Sequence, residues 1–260
     1  DNNMYEITNP IYNIQELGIN EVLSIENFYV NFSSHIYNEL NIPFNIIIKG
    51  NDGSYITESI EILFEGNRES DPLGPDSHGY FIYDLQDVEY DLAPDYQWIE
   101  IAEGVGERIE IYDNGNGNFS GSYTNSSEVI ELPFVFTFYG LDYTEIVVNT
   151  NGWISFGSFE MYSFRNYSIP GAGGPSPMIA GFWDDLKTGS GGYVYHYSDE
   201  EKVVIQWDDM RTYDNNGSYR ETFQIILYNK EFYEPTLTGD SEIKIQYQEF
   251  NNTSDGYYPN

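Results

Sequence analysis

Cysteine is absent from the chain of 260 residues, and with it go disulfides, thiolate metal sites and cysteine nucleophiles. Basic residues are scarce. Ten Lys and Arg stand against 43 Asp and Glu, a formal net charge of −33. A field of that sign repels nucleic-acid phosphates and anionic membrane faces, which excludes both as primary partners. The three histidines, His35, His78 and His196, lie in separate segments without the i, i+4 or short-gap spacing of a zinc site. No apolar run approaches the ~20 residues that cross a bilayer, and no window carries the apolar period of an amphipathic helix. The paired acids Asp184-Asp185 and Asp208-Asp209 adjoin one another in strand-like runs, where neighbouring side chains point to opposite faces and cannot share a substrate. With no Ser/His/Asp arrangement in recognisable context either, the chain is expected to be no enzyme. It opens at Asp1 without an initiating Met or a signal peptide, which reads as a processed or trimmed product. Lack of cysteine does not place it in the cytosol, because exported domains can be held by sheet packing alone.

What is abundant is aromatic: 25 Tyr, 16 Phe and 4 Trp. In LPFVFTFYG, Phe134, Phe136 and Phe138 alternate with Val135 and Thr137, the two-residue period of a strand buried on one face. In EIVVNTNGWISFGS, Asn151-Gly152 stands where a two-residue hairpin turn needs positive φ, and Trp153, Ile154 and Phe156 resume the strand. A Pro/Gly loop then precedes Ile179 to Trp183. Further short runs, each bounded by Gly, Asn, Asp or Pro, fall at Tyr80–Tyr83, Gln97–Ile101, Arg108–Tyr112, Gly192–Tyr197, Lys202–Trp207, Thr222–Tyr228 and Glu242–Gln248. That spacing suits an antiparallel sandwich. Trp98, Trp153, Trp183 and Trp207 could serve as sugar-stacking platforms, but their places in alternating runs favour core packing.

The series from Asp71 to Asn252, through LPFVFTFYG, NTNGWISFG, FRNYSIPGAGGPSPMIAGFWDDL, ETFQIILY and GDSEIKIQY, resembles a β-sandwich module of large secreted and surface proteins of bacteria. That module often sits in chains that also carry gingipain-like or subtilisin-like peptidase domains. The resemblance implies an extracellular, secreted or surface-attached setting, and it brings no catalytic residue with it.

Residues 1–66 read as a separate unit, 67–75 as a linker rich in breakers and charge, and 76–260 as the aromatic-rich module. In the first unit Val22 to Phe32 alternates with a phase change near Asn27 that suggests a bulge. Phe44, Ile46 and Ile48 share one face of the next strand, and Ile56, Ile60, Ile62 and Phe64 form an inward set on the one after it. This looks like part of an immunoglobulin-like domain. Such a sandwich has about seven strands, and only three or four are legible. The expected fold class is therefore all-β, two antiparallel β-sandwich units, the first immunoglobulin-like and incomplete.

An incomplete sandwich leaves an open edge and an apolar groove, which a neighbour's strand can fill. The Asp1–Leu17 segment, with Met4, Ile7, Ile11 and Ile14 among polar residues, is the donor candidate. The expected function is a structural protomer whose copies join head to tail into a filament or surface layer by strand exchange. The alternative is an accessory module of a secreted peptidase or adhesin that holds a glycan or protein ligand. No cofactor is implied, but calcium is a candidate ion at Asp71, Asp76, Asp84 and Asp87 and at Asp184 and Asp185, against the simpler reading that Asp, Asn and Gly are turn residues. Asn31, Asn118, Asn125, Asn166, Asn216, Asn251 and Asn252 each stand in an Asn-x-Ser/Thr frame and are candidate glycosylation sites.

Overall fold

A computed structural model describes residues 5–8, 10–16, 18, 20–25, 29–32, 41–63, 71–76, 78–88, 90–115, 126–158, 166–169, 171, 174–188, 192–213, 219–236 and 238–252. The chain forms two compact units, Asp1–Asp95 and Tyr96–Asn260. Every helix or strand element among the described residues is a β-strand, and the sheets are antiparallel, as the alternating runs predict.

In the first unit, β1 (Tyr5–Thr8) pairs with β2 (Tyr29–Phe32) from Tyr5↔Phe32 to Thr8↔Tyr29. The strand expected from Val22 is shorter, since Val22–Ile25 carries no ladder and pairing begins at Tyr29. Next come β3 (Asn41–Lys49) and β4 (Tyr55–Leu63), paired along their whole length from Asn41↔Leu63 to Lys49↔Tyr55. Between Asp71 and Asp95 the backbone runs through turns. The strand expected at Tyr80–Tyr83 reduces to one bridge in which Leu73 and Ile82 exchange N–H···O bonds of 2.9 and 2.8 Å.

The second unit is built from β5 (Glu107–Ile109), β6 (Ser127–Phe138), β7 (Leu141–Asn149), β8 (Trp153–Phe156), β9 (Met178–Ala180), β10 (Leu186–Lys187), β11 (Tyr193–Ser198), β12 (Lys202–Thr212), β13 (Glu221–Tyr228) and β14 (Ile243–Glu249). One sheet has the order β6-β7-β8-β9. The other runs β14-β13-β12-β11-β5, with β10 also pairing β12. Their facing sides bury Phe136, Ile146, Val148, Ile154 and Phe156 on the first sheet and Val203, Ile205, Trp207, Phe223 and Ile225 on the second. Within this core Trp207 stacks on Phe223 at 4.9 Å, and Phe138 stacks on Phe156 at 4.5 Å. Trp207 Nε1 donates to Asn149 O at 2.9 Å, tying the sheets together through the one polar atom of a fully buried indole.

Two local expectations are corrected. The β7–β8 connection holds three residues, Thr150 to Gly152, because Asn149 pairs with Trp153. Only Gly152 is left-handed there, with φ of +80°, and a Cβ on it would lie 1.8 Å from Phe182 O. Asn151 instead uses its side chain to dock the next segment, its Oδ1 accepting Leu186 N at 2.9 Å. Likewise Gln97–Ile101 joins no ladder. It lies across the outer face of the larger sheet, held by one glutamine from each strand it crosses. Gln246 Nε2 donates to Gln97 O and Gln224 Nε2 to Ile99 O, while Ile101 N donates to Gln206 Oε1. The three amides also bond one another, Gln246 to Gln224 at 2.9 Å and Gln224 to Gln206 at 2.8 Å. Ile101 buries itself among Val204, Ile226 and Tyr228, with Ile99 against the same cluster. Full burial of Ile101 stabilises this strap by about 1.5–3 kcal/mol.

Candidate functional site

The β3–β4 ribbon turns at Gly50–Ser54, where Asp52 Oδ1 accepts both the N–H and the hydroxyl of Ser54 and Gly53 adopts φ of +85°. The Ser54 hydroxyl bond, then the Ser54 N–H, hold the Asp52 carboxyl below its ordinary value, so it is the charged turn that is favoured. Opposed residues share a face. The register sets Ile42, Phe44, Ile46 and Ile48 against Ile62, Ile60, Glu58 and Ile56. That face carries seven large apolar side chains and one acid, and its grouping follows the alternation in sequence.

Its environment does not follow. Ile42 is buried, but towards the turn the face opens to solvent, with Ile48 53% and Ile56 58% exposed. The reverse face exposes Ile47 and Leu63, and Tyr55 at 72%. Phe64, the last of the expected inward set, lies outside the described residues. A two-stranded ribbon is marginal in water without a packed face, and contiguous exposed apolar side chains mark a surface that associates. Among the described residues each strand of this ribbon pairs only with the other.

The donor candidates divide. Met4 lies outside the described residues. Ile7 stands in β1, opposite Val30 of the same chain, so this part of the segment is already paired at home. Ile11 and Ile14 are in chain without ladder bonds, exposed, Ile11 at 79%.

The candidate calcium ligands are not gathered. Asp71 Oδ1 accepts Tyr90 OH, Asp76 Oδ1 accepts His78 N and Tyr80 N, Asp84 Oδ1 accepts Gln86 N, and Asp87 Oδ2 accepts Asp84 N. Asp76, Asp84 and Asp87 cap turns of the first unit, and Asp71 ties its start to Tyr90. Asp184 and Asp185 are buried in the second, where Asp184 Oδ1 accepts Asp185 N and Asp185 O accepts Tyr213 N. Among the described residues no group of three or more His, Asp or Glu is placed to hold a metal ion.

Asp113 is a buried acid of the second unit. Burial pushes its carboxyl up, against hydrogen bonds from Gly115 N, Thr150 and Asn151. Asp113 N and O bond Thr188 Oγ1 and N, so this group closes one end of the module.

Of the sequons, Asn118, Asn125 and Asn216 lie outside the described residues. Asn31 is exposed on β2, its Nδ2 3.4 Å from Thr8 Oγ1. Asn166 is partly buried and Asn252 exposed. Asn251 is exposed, its Nδ2 donating to Arg220 O at 2.7 Å and to Glu249 Oε1 at 3.3 Å. Trp153, Trp183 and Trp207 are buried, and Trp98 is partly buried with its indole N–H on Glu100 Oε2. His196 lies partly buried on β11, and His78 sits in the Asp76 turn.

A family model described as NIDO related matches residues 110–257. NIDO is an extracellular domain, and NIDO-related domains are typically non-catalytic extracellular modules. No solved structure matches the chain.

Proposed function

From a chain that belongs to the NIDO-related family, we propose an extracellular, non-enzymatic structural protein whose copies join by strand exchange into a filament or surface layer. The observation that carries this reading is the β3–β4 ribbon, apolar and exposed, its two strands each pairing only with the other among the described residues. It reads as part of an immunoglobulin-like sandwich that a neighbour completes. A strand from a second copy laid along one edge satisfies the backbone groups there, and its alternate side chains fill the apolar face. The Pro10–Glu16 stretch supplies such a strand, with Ile11 and Ile14 exposed. Donor and acceptor are different surfaces, so the contact is head-to-tail and propagates unless it closes into a ring.

Deleting residues 1–17 tests the donor. Sedimentation velocity is expected to show assemblies from the full chain and single chains from the deletion, and undiminished assembly without the segment would overturn the assignment. The rival reading, an accessory module holding a glycan or protein ligand beside a secreted peptidase or within an adhesin, draws on the second unit, where the Arg108 guanidinium lies 4.0 Å from the centre of the Tyr193 ring.

A further inference from the structure

Lys187 on β10 stands directly opposite Arg211 on β12. One position beyond the Met210↔Glu221 pair, Arg211 in turn faces Arg220 at the entry to β13. Opposed residues share a face, so three of the chain's ten cations form one cross-strand row. The row lies on the side away from the sandwich core: Leu186, Met210, Thr212 and Glu221, which alternate with it, are buried, whereas Lys187, Arg211 and Arg220 are partly exposed.

Cations set opposite one another destabilise a sheet. A chain with 43 acids has ample means to neutralise them. Asp209, in a bulge opposite Thr222 with φ of +53°, is the acid placed on the row, its Oδ1 2.8 Å from Arg220 Nε. Among the described residues that is the one ion pair of the row. Arg211 Nε and Arg220 Nη1 are both buried without a hydrogen-bond partner among the described residues. These two nitrogens lie beneath the surface, so a ligand meets the partly exposed remainder of the two side chains. Beside them Lys187 Nζ donates to Tyr213 O at 3.0 Å and sits 5.6 Å from the centre of the Tyr213 ring. Tyr213 directly follows the end of β12 and is 44% exposed.

We infer that this row binds the carboxylate of an acidic sugar. Two guanidinium groups match a carboxylate's paired oxygens, and an exposed tyrosine ring beside them offers an apolar platform with a polar tip for the sugar ring. The net charge of the chain weighs against an acidic protein at this place, because such a partner brings many like charges to a surface at −33. A sugar with one carboxylate brings a single charge into a local positive row, and at physiological salt the rest of the field is screened beyond about 8 Å.

The experiment is a titration of the full chain, followed by NMR shifts, with glucuronate and with N-acetylneuraminate, which separate the two sources of a sugar carboxylate. Glucose and polyglutamate serve as neutral and acidic-peptide probes. One or both acidic sugars are expected to bind, glucose is not, and R211Q is expected to weaken binding about tenfold or more. R211K keeps the charge but loses the fork, and is expected to bind more weakly than the parent chain. Because Arg211 opposes like charge, R211Q is also expected to leave the melting midpoint unchanged or raise it. Absence of binding by both acidic sugars, tighter binding of polyglutamate, or unchanged affinity in folded R211Q or R211K would each overturn the inference.

Discussion

Replacing Gln224 by leucine separates the polar ladder from the volume it fills. Gln224 is fully buried. Its amide donates to Ile99 O and to Gln206 Oε1 and accepts from Gln246 Nε2. Leucine occupies a similar space, so the loss is of hydrogen bonds and not of packing. Gln206 Oε1 keeps Ile101 N, and Gln246 Nε2 keeps Gln97 O. Those two broken bonds cost about 1 kcal/mol each. Ile99 O loses its donor beneath the strap, and a stranded buried acceptor adds about 1–3 kcal/mol. The total is about 3–5 kcal/mol, roughly 10 °C in melting midpoint for a unit of this size. Thermal denaturation measures the midpoint, and hydrogen exchange at Tyr96–Ile101 reports whether the strap has lifted. A midpoint lowered by less than about 3 °C, with strap amides protected as before, would refute the reasoning that these glutamines hold it.

Three further outcomes are expected. Burial, then Glu100, Asp209 and Glu103, raise the Asp208 carboxyl above its ordinary 3.8, so the folded chain binds that proton more tightly than the unfolded one and stability falls as pH climbs from 3.8 through the raised value. Asp208→Asn should therefore raise the midpoint at neutral pH, with the gain vanishing towards pH 3.8 in a series of melts. Gly152→Ala forces a side chain into left-handed backbone against Phe182 O and is expected to cost about 3 kcal/mol by chemical denaturation. Because Asp76, Asp84 and Asp87 cap turns and Asp71 accepts Tyr90 OH, melts in chelator and in excess calcium should share one midpoint, and a rise with calcium would show that these acids gather around an ion.

The strands of the second unit were legible because their apolar period is two and their ends carry turn residues. Lys202–Trp207 and Thr222–Tyr228 lie within β12 and β13, while Glu242–Gln248 misses β14 by one residue at each end. The strap was misread for a physical reason. Gln97–Ile101 alternates like a strand, yet its backbone bonds go to side chains on a sheet face and not to a neighbouring strand. The signal was present in the partners: Gln206, Gln224 and Gln246 each interrupt an apolar run at matching register, and a buried amide needs something to bond. The cation row was missed because Lys187, Arg211 and Arg220 are distant in sequence, and only the pairing of β10, β12 and β13 brings them side by side. In the first unit, alternation predicted which residues of β3 and β4 share a face. It could not predict that the face is exposed, because the period of a strand reports its sides and not what covers them.

The central claim is that the apolar ribbon joins one copy to the next. Ile48 and Ile56 are opposed on that ribbon, so I48K/I56E places a charge pair on the apolar face while keeping cross-strand attraction between the two positions. Negative-stain microscopy of both chains at equal concentration is the direct measurement. Filaments from the parent chain and single particles from I48K/I56E are the predicted result, and single particles from the parent chain, or filaments from both, would contradict the account.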